Sequence, residues 1–146
     1  MDVRMILDQK HKPPTTCRPE DTIEAAATIL TVNRLGAIPV RDAEGDLTGI
    51  ISERDIVRGF SEHGGKVLSL RVRDLMTRNV AVCTPTDSIK DAMRMMSRRH
   101  IRHLPVVEDG VLRDMISQRD LMESRLQETE MEANVLRDYA IAASRR

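Results

Sequence analysis

The chain has no tryptophan, and Phe60 and Tyr139 are its only phenylalanine and tyrosine. It therefore offers no set of stacking platforms for single-stranded nucleic acid. Net charge is missing too, because 23 Lys and Arg balance 23 Asp and Glu. The phosphate-neutralising drive of a general nucleic-acid binder is thereby absent. Cysteine is scarce: Cys17 and Cys83 lack C-x-x-C spacing and are too few for a disulfide scaffold, which points to a reducing, cytoplasmic compartment. No apolar run approaches the roughly 20 residues of a membrane-spanning helix. The opening MDVRMILDQKHKPP carries charges inside its apolar stretch and no small-residue cleavage site, so it does not read as a signal peptide. G-x-S-x-G, H-E-x-x-H, a P-loop and paired catalytic acids are not found, and the chain reads as non-catalytic.

What the 146 residues do contain is an internal repeat. Cys17, Pro19, Asp21, Ile23 and Ala26 recur as Cys83, Pro85, Asp87, Ile89 and Ala92, each 66 residues on. Pro39 and Val40 recur as Pro105 and Val106 at the same offset. One residue is then lost in a turn. After it Gly45, Leu47, Ile51, Ser52, Arg54 and Asp55 recur as Gly110, Leu112, Ile116, Ser117, Arg119 and Asp120, each 65 residues on.

Each copy reads as strand, helix, strand, strand, helix. A short apolar segment ends at Pro19 or Pro85, whose fixed φ and missing donor suit a strand exit. Asp21 or Asp87, or the adjacent Thr22 or Ser88, supplies the N-cap of the next helix. Ile23, Ala26, Ala27 and Leu30, like Ile89, Ala92, Met93 and Met96, fall at i, i+3, i+4, i+7 and make one buried stripe. A hairpin follows, with acidic-glycine turns at 42–45 and 108–110, and Ser52 or Ser117 opens the last helix. A copy of about 60 residues is too small to be comfortably stable alone. The two are expected to bury their apolar faces against each other about a pseudo-twofold axis. The fold class is α+β: two β-α-β-β-α repeats with a long C-terminal helix, since Ser117 to Ala143 contains no Gly or Pro. Residues 1–62 form the first repeat with a lead-in helix, 63–73 a linker around Gly64-Gly65, 74–123 the second repeat and 124–146 a helical tail. The lead-in Val3 to Leu7 is echoed at Val72 to Met76. Along the tail, Leu126, Thr129, Ala133, Leu136, Ala140 and Ala143 make a weak a/d stripe, suited to packing across a dimer or to a solvated helix.

The candidate chemistry lies in G-I-I-S-E-R-D at 49–55 and D-M-I-S-Q-R-D at 114–120. Ser52 and Ser117 stand where a strand ends and a helix begins, so a hydroxyl and free backbone N–H groups form a seat for phosphate. Asp55 and Asp120, one turn on, have the two acceptor oxygens that read a ribose diol. Gly49 allows close approach of backbone or ligand. The plainer reading makes the serines caps and the aspartates first-turn dipole partners; their recurrence in two complete copies favours a nucleotide site in at least one.

These two motifs, each preceded by A-I-P-V or H-L-P-V-V and an acidic-glycine turn, resemble a tandem pair of cystathionine-β-synthase (CBS) domains, a Bateman module, over about residues 1 to 123. They are similar in particular to small stand-alone bacterial CBS-pair proteins. The resemblance implies a homodimer that binds an adenine nucleotide in the cleft between repeats and senses energy or redox state for a regulated protein partner. AMP, ADP, ATP, NAD(H) and S-adenosylmethionine are the implied ligand classes. It also implies that the helix-to-strand junction of the second copy faces the cleft, making Arg102 and His103 candidate phosphate contacts, with Arg18 at the corresponding strand exit of the first copy and Arg54 and Arg119 as basic residues inside the motifs. Cys17, Arg18, Cys83 and Thr84 at the strand exits, and Ala37, Ile38, Pro39, Leu104 and Pro105 on the first hairpin arms, complete the implied lining.

A basic lining favours a phosphorylated adenosine over the cationic S-adenosylmethionine. Arg98 and Arg99 read instead as a solvated helix end. With no aromatic in the motifs, adenine is expected between Ile38, Ile51, Leu104 and Ile116. His100 and His103 have no evident third ligand, so no metal is expected. The pseudo-equivalent Cys17 and Cys83 read as buried, inert thiols. Asp114 in place of Gly49 keeps a second function open, a CBS-fold protein-interaction scaffold with degenerate pockets.

Overall fold

The computed structural model describes residues 1–10 and 12–145. Its helices are α1 (Val3–Gln9), α2 (Ile23–Asn33), α3 (Glu53–His63), α4 (Val72–Leu75), α5 (Ile89–Arg99) and α6 (Gln118–Ser144). The strands are β1 (Ala37–Arg41), β2 (Leu47–Ser52), β3 (His103–Glu108) and β4 (Val111–Ser117). They pair as two antiparallel hairpins, β1 with β2 and β3 with β4. The architecture is α+β, with the long last helix spanning 27 residues.

The expected first strand of each copy is reduced to a single parallel bridge, Cys17 to Val40 and Cys83 to Val106. Beyond the bridge the chain turns at once, because Asp21 Oδ2 accepts from Arg18 N and Asp87 Oδ2 from Thr84 N. The aspartates thus shape the turn, and the caps of α2 and α5 are Thr22 and Ser88. Both helices end on a residue in the left-handed region, Arg34 at φ 55° and His100 at φ 54°. The bonds Leu35 N to Leu30 O and Ile101 N to Met96 O close each end in the same way.

Each repeat encloses its own apolar core. Ile23, Ala26, Leu30, Ile38, Val40 and Ile51 belong to the first, Ile89, Ala92, Met96, Leu104, Val106 and Ile116 to the second. The lead-in segments cross over. Val3 and Ile6 of α1 enter the second core, whereas Val72 and Leu75 of α4 enter the first. Matching hydrogen bonds hold them: Val3 N to Asp87 O and Arg4 N to Pro85 O on one side, Val72 N to Asp21 O and Arg73 N to Pro19 O on the other. The linker 63–73 is not a free tether, since Gly64–Ser69 forms a 3-10 turn and Val67 is buried in the first core. Among the described residues no helix is long and apolar enough to cross a membrane.

Candidate functional site

Ser52 ends β2 and caps α3, and its side chain accepts from Asp55 N at 3.2 Å. In return Asp55 Oδ2 accepts from Ser52 N and Oγ, both at 2.9 Å. The carboxylate's second oxygen accepts from Arg58 at 3.0 Å and from Thr77 Oγ1 at 3.3 Å. Asp55 is thus only 4% exposed, yet both its oxygens are paired. The capping reading accounts for one oxygen, Oδ2, while Oδ1 is held by two side chains, Arg58 and Thr77.

Around this motif lies a cleft of about 600 Å³ between the repeats. One wall is Ala37, Ile50 and the turn from Ser52 to Arg58; the other is Thr77 to Ala81 and the junction from Arg99 to His103. Four arginines, Arg54, Arg58, Arg99 and Arg102, face two carboxylates, Glu53 and Asp55, so the lining has a positive excess. His103 reaches across to the first copy, where a Cβ on Gly36 would stand 3.1 Å from its Cε1. Burial holds the His103 imidazole below its ordinary value, an effect partly opposed by Asp120 and Glu53.

Of the residues expected at the site, Ala37, Ser52, Arg54, Asp55, Arg102 and His103 lie in this cleft. Ser117 and Arg119 open instead onto a groove of about 790 Å³ between α5 and α6, lined also by Met93, Met122 and Leu126. Asp120 caps α6 and pairs with Lys10 at 3.1 Å. Arg18 turns to the first hairpin, donating to Asp42 O, and Thr84 is exposed beside Thr86. Pro39 and Pro105 are buried, and their carbonyls accept from Cys17 N and Cys83 N.

The aliphatic cradle is a correction. Ile38, Ile51, Leu104 and Ile116 are all 0% exposed inside the cores, so they do not line the cleft. Strand side chains alternate, which turns Ile50 toward the cleft where Ile51 turns inward. Ile50, Val80, Ala81 and Ile101 form the apolar lining instead. Arg99 at the end of α5 is exposed, as a solvated helix end should be, and it also borders the cleft. Cys17 and Cys83 sit in separate cores, and burial, helped by Asp21 and Asp87, pushes both thiols up to about 12. Neither is a nucleophile at neutral pH. Arg58 and Thr77 carry no motif signal in the sequence; the one lies a helical turn beyond Asp55, the other just after the echoed lead-in.

A family model of the CBS domain matches residues 6–62 and 72–126. An uncharacterised protein of Methanocaldococcus jannaschii is 29% identical over 84% of this chain and 92% of its own length. A mitochondrial CBS domain-containing protein of Arabidopsis thaliana is 32% identical over 84% of this chain, which spans 62% of that longer protein. Among solved structures, a CBS-domain containing protein from Agrobacterium tumefaciens superposes with a TM-score of 0.82 at 35% identity, covering 85% of this chain and 92% of that one. A CBS domain protein from Pyrobaculum aerophilum complexed with AMP has a TM-score of 0.73 at 27% identity, covering 82% and 89%. A CBS domain pair in complex with 5′-methylthioadenosine and S-adenosyl-L-methionine has a TM-score of 0.76 at 28% identity, covering 89% and 98%. With two matched repeats, two hairpin cores and a cleft between them, the chain belongs to the CBS-domain family as a tandem pair.

Proposed function

We propose that the chain is a non-catalytic regulatory module that binds an adenine nucleotide in the cleft beside Ser52 and Asp55. The observation that carries this reading is the meeting of a buried carboxylate from one repeat with the basic turn from Arg99 to His103 of the other. The ribose diol takes Asp55 Oδ1 in place of Arg58, whose side chain is 55% exposed and free to turn toward phosphate. The phosphate faces Arg102 and His103, and the adenine lies against Ile50, Val80, Ala81 and Ile101. The AMP, 5′-methylthioadenosine and S-adenosyl-L-methionine complexes of the similar proteins support the adenosine class. Among its members AMP, ADP, ATP and NAD(H) suit this cleft better than a sulfonium, which meets four arginines. Binding across two repeats biases their relative position, and a protein partner reads that bias. The working unit is a homodimer joined through the exposed apolar residues of α3 and α6, in a reducing compartment where both thiols stay unpaired.

Calorimetric titration of AMP, ADP, ATP, NAD, NADH and S-adenosylmethionine tests the reading. Saturable binding of a phosphorylated adenosine, weakened at least tenfold by Asp55→Asn in a folded variant, is expected. Absence of binding by every adenosine compound refutes it, and binding of S-adenosylmethionine alone refutes the phosphate assignment.

A further inference from the structure

The two motifs have different surroundings. In the first copy, the backbone of Thr77 docks on β2, with Ile50 N to Thr77 O at 3.0 Å and Thr77 N to Ile50 O at 2.8 Å. Thr77 Oγ1 also reaches Asp55. Only glycine permits that approach, since a Cβ at position 49 would stand 2.8 Å from Thr77 O and 2.9 Å from Met76 Sδ. The second copy has Asp114 in the place of Gly49. There Lys10, which caps the end of α1, sends in its side chain. Lys10 Nζ donates to Met115 O at 2.9 Å, pairs with Asp120 Oδ2 at 3.1 Å and lies 4.0 Å from Asp114 Oδ2. Met115 corresponds to Ile50, so one ammonium meets the carbonyl and the carboxylate that Thr77 meets in the first copy. The local charge differs in the same sense, because Glu123 holds on α6 the position that Arg58 holds on α3.

We infer that Lys10 is the resident occupant of the second motif's seat and keeps it closed, so that the chain takes one nucleoside, at the first motif. Lys10 engages Asp120, the counterpart of the aspartate that would read a ribose diol, on the Oδ2 that also closes the cap of α6, and Asp114 adds a carboxylate where the first copy has Gly49. An internal ammonium also removes the cost of leaving two neighbouring carboxylates unpaired. The inference rests on the nucleotide reading above, and its test is built to fail separately from it.

Adenosine, which has the diol and no phosphate, is titrated into the wild-type chain and into Lys10→Ala. One site per chain in the wild type and two in the variant are expected. Two sites in the wild type, or one in both, overturn the inference. In parallel, thermal unfolding is measured for Lys10→Ala, Asp120→Asn and the double variant. A double-variant Tm loss well below the sum of the single losses is expected, and additive losses overturn the Lys10 assignment. If neither protein binds adenosine or AMP, the nucleotide reading fails, and the unfolding cycle still decides whether Lys10 holds the second seat.

Discussion

Gly49 and Asp114 occupy one place in the repeat and send the chain down two routes, which makes them the residues on which the asymmetry turns. At Gly49 the neighbour is a carbonyl of the backbone at 2.8 Å from where a Cβ would stand, and backbone cannot swing aside as a long side chain can. Gly49→Ala is therefore expected to break the Ile50–Thr77 bridge and cost about 1–3 kcal/mol, read by urea unfolding. The removal of a glycine usually stabilises where the space is open, so an unchanged midpoint would show that the contact is not tight. His103 gives a second residue-scale expectation. Its pKa is lowered on folding, so below about 6.5 the unfolded chain binds the extra proton. Its contribution to stability is complete above pH 6.5 and is lost as pH falls through the folded value. The wild type should accordingly lose stability more steeply between pH 7 and pH 5 than His103→Gln, and parallel profiles would contradict the burial of a neutral imidazole.

At the scale of elements, the same sequence signal produced the same cap four times, with Thr22, Ser52, Ser88 and Ser117 each accepting from the N–H three residues on. Of these four, α3 and α6 also close the box with an aspartate that accepts from the N-cap N–H. Ser52 does more than Ser117, because its hydroxyl also donates to Asp55 Oδ2. Ser117→Ala should cost about 0.5–2 kcal/mol and Ser52→Ala more, compared in urea on otherwise identical chains. Helices and hairpins were legible in the sequence because period 3.6, period 2 and turn residues are local signals. The bridges at Cys17 and Cys83 have the sequence signal of strands, since a bridge and a strand share the same two or three residues and differ only in what the proline and the aspartate do next. The site divided in the same way. Ser52 and Asp55 lie on motifs that repeat and Arg102 and His103 on a junction that the family resemblance implies, whereas Thr77 and Lys10 reach the motifs from segments remote in sequence.

For the whole molecule, the placing of the lead-ins means that the two cores close differently: α4 completes the first within residues 17–76, whereas the second draws Val3 and Ile6 of α1 from the far end of the chain. A repeated pattern cannot reveal such a placing, because swapped and unswapped lead-ins have the same sequence. The entry of α1 into the second core ties the start of the chain to that repeat, and an apolar surface is left outside the core of each repeat. Val57 and Phe60 on α3 are 69% and 60% exposed, and Met122 and Leu126 on α6 are 58% and 60% exposed. Val57 and Met122 are pseudo-equivalent, so each repeat contributes a matching part of this surface, as a symmetric interface requires. Beyond it α6 continues with Met131, Val135, Leu136 and Tyr139 all exposed, which adds apolar surface without a core to receive it. The groove between α5 and α6, floored by Met93, Met122 and Leu126, is open in the single chain. If two copies close on this surface, a charge placed in it must separate them while leaving each fold intact, because these side chains contribute little to either core. Analytical ultracentrifugation of the wild type is expected to give a dimer. Phe60→Glu combined with Leu126→Glu should give a monomer whose far-UV spectrum is unchanged. A double variant that remains dimeric would move the interface elsewhere, and a wild type that sediments as a monomer at every concentration would remove it.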